Sequence, residues 1–182
     1  GRGGAALKPQ VAAVEDGWIA SPVALGAWRK ALEEHGVLVF LLPLGALSAR
    51  GMSIWDLAAP AAIMNSAWNV EARIFTLFHE VGHIATRTNS ACIGYVGIQE
   101  GDQRDVERWC DRFAASLLMP GETIAEILKR DLGWDGQEIR ELTIPSRLAR
   151  RMKVSLRATV LRLVELRFAD RTLYGQIPVH SD

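Results

Sequence analysis

The sequence predicts an α+β fold, with a small β-sheet packed beside two helices and a helical part at the C-terminus. Short apolar runs bounded by Gly and Pro in the first third of the chain are typical of strands. From about Val70 the apolar residues recur at spacings of three and four, which is typical of amphipathic helices. The length of 182 residues, 49% of them hydrophobic, favours one globular domain with or without a small appendage.

The elements before residue 70 are indicated by their boundary residues and their β-branched content. A helix begins at Ser21-Pro22, where a capping hydroxyl precedes a proline at the first helical position, and it ends at Gly36. The apolar run VLVFLL predicts a buried strand over 37–42. Two more short strands are predicted, over 51–54 and 61–64.

Helices account for most of the chain after residue 70. The first begins near Val70, and a second covers 103–119 and stops before Pro120. The segment 89–102 between them contains glycine and is irregular, with a hairpin expected around Tyr95. Three further helices are predicted, over 122–131, 136–152 and 155–168.

Charge, cysteine content and hydropathy exclude several classes of protein. Twenty-one basic residues balance twenty-one acidic ones, so the chain as a whole is not attracted to DNA or to an anionic membrane. Cys92 and Cys110 make no disulfide framework, which fits a reduced, cytoplasmic setting. The longest apolar run is interrupted by Pro43 and Gly45 and stops well short of the ~20 residues that span a bilayer. Because the sequence opens with Gly1, it is expected to be a trimmed product or an excerpt of a longer protein.

The strongest chemical signal is the HExxH motif His79-Glu80-Val81-Gly82-His83. Histidines four residues apart lie on one face of a helix, so both imidazoles can bind one ion at Zn–N distances of about 2.0–2.1 Å. Glu80 is displaced around the helix from that face, and so it can act as a general base instead of a ligand. The alternative is an ordinary helix that carries two histidines, and the spacing favours the metal site.

A catalytic zinc takes a third protein ligand. Glu107 is the best candidate, because Asp111 follows one turn later on the same predicted helix and can accept the N–H of a ligating histidine. Taken alone, Glu107 is better explained as a solvated charge among neighbouring charged residues, and the HExxH motif is what favours a ligand role. Cys110 or Cys92 could instead supply a thiolate, although a buried apolar role is the commoner one for such cysteines.

Two stretches of the sequence resemble the ImmA/IrrE metallopeptidase family. They are RIFTLFHEVGH at 73–83 and ERWCDRFAASLLMP at 107–120, and the resemblance extends over about 25–168. The family is known for zinc-dependent, site-specific endopeptidases of the gluzincin type, many of which cut a helix-turn-helix repressor and thereby release mobile-element or stress-response genes. The chain departs from the family pattern at Cys110-Asp111, where Ala-Asn is usual.

The resemblance implies a role for each residue of the motif. His79, His83 and Glu107 match the family's zinc ligands, and Glu80 matches its catalytic base. Asp111 keeps a hydrogen-bond acceptor at the family's Asn position. The ligand set is also compatible with Mn²⁺ or Fe²⁺, since metal choice in the cell depends on availability as well.

Two features of the sequence are candidates for binding the substrate. Tyr95 is the nearest candidate in sequence to assist at the oxyanion, although a packing or surface role is commoner for such a tyrosine. The strand over 61–64 precedes the metal-binding helix, and we expect it to present an edge to an extended peptide.

We expect three regions in the chain. They are a loose leader at 1–20, a metallopeptidase core at 21–135, and a helical, helix-turn-helix-like subdomain at 136–182 that packs on the core. The stretch 140–171 holds nine basic and three acidic residues, a local balance of +6, so an alternative function is a DNA-binding or metal-sensing regulator that cleaves little. Binding of a protein repressor is the more economical use of that surface.

Overall fold

The computed structural model describes residues 20–91 and 101–178, and these adopt the predicted α+β fold. Its elements begin with α1 (Ser21–Glu34), β1 (Leu38–Leu42), β2 (Gly51–Ile54), β3 (Ala61–Asn65), α2 (Val70–Ala85), β4 (Ser90–Ala91) and α3 (Gly101–Leu118). They are followed by α4 (Gly121–Arg130), α5 (Thr143–Met152), α6 (Leu156–Glu165) and a 3₁₀ helix (Arg171–Gln176).

The strands of the described residues form one mixed sheet in the order β1-β3-β2-β4. β1 pairs with β3 in parallel, whereas β2 runs antiparallel to both β3 and β4. β3 is therefore an interior strand, and all five of its residues are buried. The prediction that the strand over 61–64 presents an edge is wrong, because both of its backbone edges are already bonded to neighbouring strands. Among the described strands, β1 and β4 lie at the edges.

The strand predicted over 37–42 forms as β1, but it is not buried. Only Val39 is buried, while the other four residues are 40–45% exposed. The apolar run predicted a buried strand, because continuous apolar runs are typical of strands that are covered on both faces. β1 instead lies at an edge with a single neighbour, so its apolar side chains remain partly in contact with water.

The core beside the sheet is built on α2, which packs across β2 and β3. Ile74, Leu77 and Phe78 are fully buried, as the three-and-four spacing predicts. The Phe78 ring meets Trp28 of α1 edge-to-face, with 4.9 Å between ring centroids. This packing fixes the rotation of α2, and so it also fixes which residues of α2 face away from the sheet.

The chain divides into two compact units. Trp28–Leu117 forms one unit, which holds the sheet, α2 and nearly all of α3. Among the described residues, the second unit combines 20–27 with 118–178. The predicted limits of the leader, core and C-terminal subdomain stay a prediction. No helix in the part of the chain that the structure describes has both the length and the apolar character needed to cross a bilayer.

The C-terminal helices differ from the prediction at two ends. The helix expected over 136–152 begins only at Thr143, because Pro145 is tolerated only in a first turn. Upstream of it Ile139 is extended and forms a parallel bridge with Ala169. The helix expected over 155–168 ends at Glu165, where Arg167 takes a left-handed backbone with φ of 61°.

Candidate metal centre

Helix α2 carries three groups of the candidate site on a well-capped scaffold. Asn69 caps its N-terminus by accepting a hydrogen bond from the backbone N–H of Ala72 at 2.8 Å. His79 and His83, four residues apart, are 8% and 2% exposed, and Glu80 is fully buried. Buried polar groups need hydrogen-bond partners, and neighbouring residues supply them except at Oε1 of Glu80, for which the described residues offer none.

Glu107 of α3 points at both histidines. Its Oε2 lies 3.1 Å from His79 Nε2 and its Oε1 lies 3.3 Å from His83 Nε2. The two Nε2 atoms are 3.2 Å apart. The structure thus brings together the three side chains that the sequence singled out as ligands, from two different helices.

These distances are those of a cation site. Three ligands at about 2.0–2.1 Å from a tetrahedral ion lie about 3.3 Å from one another. Two neutral imidazoles that aim their lone pairs at each other and at a carboxylate repel, unless a cation lies between them. The donor set of two imidazole nitrogens and one carboxylate oxygen suits a divalent transition metal. The residues present therefore fit a bound metal ion.

The second nitrogen of each imidazole is also held. His79 Nδ1 lies 2.9 Å from Oδ1 of Asp111, one turn beyond Glu107 on α3. His83 Nδ1 lies 3.0 Å from Oγ1 of Thr88. When Nδ1 carries the proton and donates to these oxygens, each Nε2 lone pair is left to face the metal position.

The protonation state of Glu107 suits a ligand. When Nε2 of each imidazole carries the proton instead, hydrogen bonding from His79, and next from His83, lowers the pKa of the Glu107 carboxyl to about 2. The group is therefore ionised at neutral pH, as an anionic ligand must be.

Glu80 faces the sheet side of α2. Ser90 of β4 donates a hydrogen bond to its Oε2, and Ser53 of β2 lies 2.9 Å from the Ser90 hydroxyl. A Cβ placed on Gly51 would lie 2.9 Å from Oε1 of Glu80 and would overlap Cγ2 of Thr76. Glycine at position 51 is therefore what makes room for the carboxylate.

The two helices approach each other closely beside the ligands. A Cβ on Gly82 would lie 3.1 Å from both Cβ and Sγ of Cys110. Cys110 is fully buried at this contact, and it does not belong to the cluster of ligand atoms. The other two residues considered in the sequence analysis, Cys92 and Tyr95, lie outside the described residues.

Sequence reasoning missed Thr88, Ser90, Ser53 and Gly51. Thr88 follows His83 by five residues, which is not a helical spacing, and it reaches the imidazole only because Arg87 takes a left-handed backbone with φ of 58°. Ser90 and Ser53 meet through strand pairing, which has no local signal in the sequence. The one available hint was that a glycine occurs in a short apolar strand.

Comparison with known proteins places these residues in a family. Residues 32–164 match the peptidase M78 family model, described as the IrrE N-terminal-like domain. The radiation response metalloprotease IrrE of Deinococcus radiodurans is 33% identical over 106 residues, which cover 57% of this chain and 30% of that protein. The protein of the same name from Deinococcus deserti is 30% identical over 143 residues, covering 77% of this chain and 47% of that protein. The matched part thus spans less than half the length of either relative.

Proposed function

Since the chain belongs to the IrrE N-terminal-like domain family of peptidases, we propose that it is a zinc-dependent, site-specific endopeptidase with Glu80 as its general base. The observation that carries the proposal is the convergence of His79, His83 and Glu107 at tetrahedral spacing, beside a buried carboxylate that is not part of the ligand set. When bound, the ion would act as a Lewis acid toward the scissile carbonyl and the attacking water.

The chain's own residues orient the ligands and transfer the proton. Asp111 and Thr88 orient the two imidazoles, so that both Nε2 atoms point to one position. Glu80 takes a proton from the attacking water as the water oxygen adds to the carbonyl carbon. The same carboxyl then passes that proton to the amide nitrogen as the C–N bond breaks, which leaves one carboxylic acid and one amine product.

The proposed substrate is a helix-turn-helix repressor. A peptide that binds by strand addition needs an open sheet edge beside the catalytic groups. Among the described strands β4 lies at an edge of the sheet, and Ser90 on this strand contacts Glu80. A repressor works where its DNA is, so the proposal places the reaction in the cytoplasm.

The basic C-terminal segment is weaker support for DNA binding than its formal charge suggests. Arg162 is 8% exposed, and its guanidinium donates to the Met119 carbonyl at 3.0 Å and to Glu165 at 2.7 Å. Arg157 donates to the Tyr174 hydroxyl at 2.8 Å. Arginines engaged within the protein contribute less to phosphate binding than the formal balance of +6 suggests.

Replacing the base tests the proposal. Zinc content is measured on the purified protein, and cleavage is assayed on the helix-turn-helix repressor encoded by a neighbouring gene. We expect Glu80→Gln to keep the zinc and to lower the cleavage rate by at least about 100-fold, because the amide cannot accept the proton.

Glu126→Gln is the matched control, since Glu126 is an exposed carboxylate on α4 that pairs with Arg130. This variant should cleave like the wild type. Absence of bound metal, or undiminished cleavage by the Glu80 variant, overturns the proposal. If cells that carry the Glu80→Gln variant show the wild-type phenotype, the protein is instead a regulator that does not depend on proteolysis.

A further inference from the structure

The carboxylate of Glu80 is held by side chains from two neighbouring strands. Ser90 on β4 donates its hydroxyl hydrogen to Oε2 of Glu80. The Ser90 oxygen in turn lies 2.9 Å from Oγ of Ser53 on β2, which is 2% exposed. Strand register pairs Ser53 directly with Ser90, so both hydroxyls lie on the side of the sheet where Glu80 lies.

The direction of these hydrogen bonds follows from the number of protons. Each hydroxyl has one proton to give. Because Ser90 gives its proton to Glu80, it must accept one from Ser53. The carboxylate is thus the final acceptor of a two-step chain, in a fully buried setting where charge-assisted hydrogen bonds are strong.

The two oxygens of Glu80 differ in their surroundings. Oε2 is tied by Ser90, whereas Oε1 has no hydrogen-bond partner among the residues that the structure describes. A buried carboxylate oxygen without a partner carries a free-energy cost, and such groups are concentrated at functional sites. This asymmetry suits a general base, since one oxygen is held while the other is left to accept a proton.

We infer that Ser90, supported by Ser53, is a positioning residue that ties Oε2 of Glu80 and leaves Oε1 to receive the proton from water. The inference rests on the proposed function, because it takes Glu80 to be the base. The simpler alternative is that the two serines only join β4 to β2, in which case the pair matters for folding and not for turnover.

Turnover by the Ser90→Ala variant distinguishes a positioning role of Ser90 from a purely structural one. With the repressor as substrate, we expect kcat to fall about 10-fold to 100-fold, the range that corresponds to one hydrogen bond to a charged group. KM should change by less than about twofold, since Ser90 does not bind the substrate in this role. The zinc content should equal that of the wild type, because Ser90 touches no proposed ligand.

Two further variants and one control test the positioning role of Ser90. Ser90→Thr keeps a hydroxyl at the same place on the strand and should restore most of the lost kcat. Ser53→Ala should lower kcat less than Ser90→Ala, because Ser53 acts only through Ser90. Ser116→Ala, an exposed serine of α3, is the matched control and should leave kcat unchanged.

A double-mutant cycle on zinc-loaded protein tests the contact without any substrate. The unfolding equilibrium is measured for Ser90→Ala, Glu80→Met and the double variant. We expect Ser90→Ala to raise the unfolding constant of the wild-type protein at least about tenfold more than that of the Glu80→Met variant, because only a carboxylate loses its partner.

The outcomes separate failure of the inference from failure of the proposed function. If the wild type does not cleave the repressor while the cycle shows coupling, the contact stands and the peptidase proposal is the part that fails. If the wild type cleaves and Ser90→Ala keeps its kcat, the positioning role is wrong. Additive changes in the free energy of unfolding overturn it as well, since Ser90 then does not act on Glu80.

Discussion

At the scale of single residues, the imidazoles are oriented by two side chains of different origin. Asp111 lies on α3 one turn after Glu107 and contacts His79, as the Glu-x-x-x-Asp spacing predicts. Thr88 belongs to the turn after α2, where its backbone N–H bonds the His83 carbonyl at 2.9 Å while its hydroxyl lies 3.0 Å from His83 Nδ1. One histidine is thus held by a helix and the other by a turn.

Loss of the Thr88 hydroxyl should weaken metal binding. We expect Thr88→Val, which keeps the side chain's shape, to lower zinc affinity about 10-fold to 100-fold, because His83 loses the acceptor that fixes its tautomer and orientation. Competition with a chromophoric chelator measures the affinity. Thr88→Ser should bind zinc nearly as the wild type does, and an unchanged affinity in the Val variant would show that the turn does not orient the ligand.

At the scale of elements, the helices were predictable and the sheet only in part. Local residues define α1 and α2. Ser21 begins α1, and the apolar stripe of α2 runs almost to its C-cap at Thr86. The burial of β1 and the interior place of β3 depend on which strands pair, which is decided by contacts distant in sequence. The extended segment around Ile139 was missed for the same reason, since its partner Ala169 lies thirty residues further along the chain.

The same distinction applies to the candidate site. HExxH and Glu107 could be found because helical spacing is local and zinc chemistry restricts the ligand types. The strand serines and Gly51 could not be found, because their role depends on how β2 and β4 lie against Glu80. The groups that surround Glu80 are therefore set by tertiary structure, and the proposed metal ligands are indicated largely by sequence spacing.

The close approach of α2 and α3 can be tested at Gly82. We expect Gly82→Val to destabilise the protein by about 1–3 kcal/mol, because the added methyl groups overlap Cys110 and the helices cannot both keep their places. Denaturant unfolding measures this change. Zinc affinity should fall in parallel, since the separation of the helices sets the distance from Glu107 to both histidines.

Gly26→Val is the matched control for that substitution, because nothing lies within 4 Å of a Cβ at Gly26 in α1. It should leave zinc affinity unchanged. Equal zinc affinity in wild type and Gly82→Val would show that the helices can move apart without disturbing the ligands.

At the scale of the whole molecule, the candidate centre lies within one compact unit. The three proposed ligands, both imidazole partners and the residues around Glu80 all fall within Trp28–Leu117. A metal ion bound by His79, His83 and Glu107 would link α2 to α3 and should therefore stabilise this unit as a whole.

Removal of the metal should lower the melting temperature. A ligand at about 1,000 times its Kd stabilises the native state by ~4 kcal/mol. For a chain of this length, that corresponds to a loss of about 8–16 °C on chelation with EDTA. Differential scanning calorimetry measures the shift, and the His83→Ala variant should show almost none. An identical shift in that variant would mean that EDTA acts at another place.

The two edges of the sheet differ in what they offer another chain. β4 follows α2 closely and carries the serine that touches Glu80, whereas β1 presents the uncharged stretch Leu38–Leu42 with four of five side chains partly in water. An uncharged apolar edge is a template for indiscriminate association. A concentrated preparation should therefore aggregate through the β1 edge. Because Glu80 lies beside β4 and not beside β1, turbidity need not track the fraction of molecules that remain active.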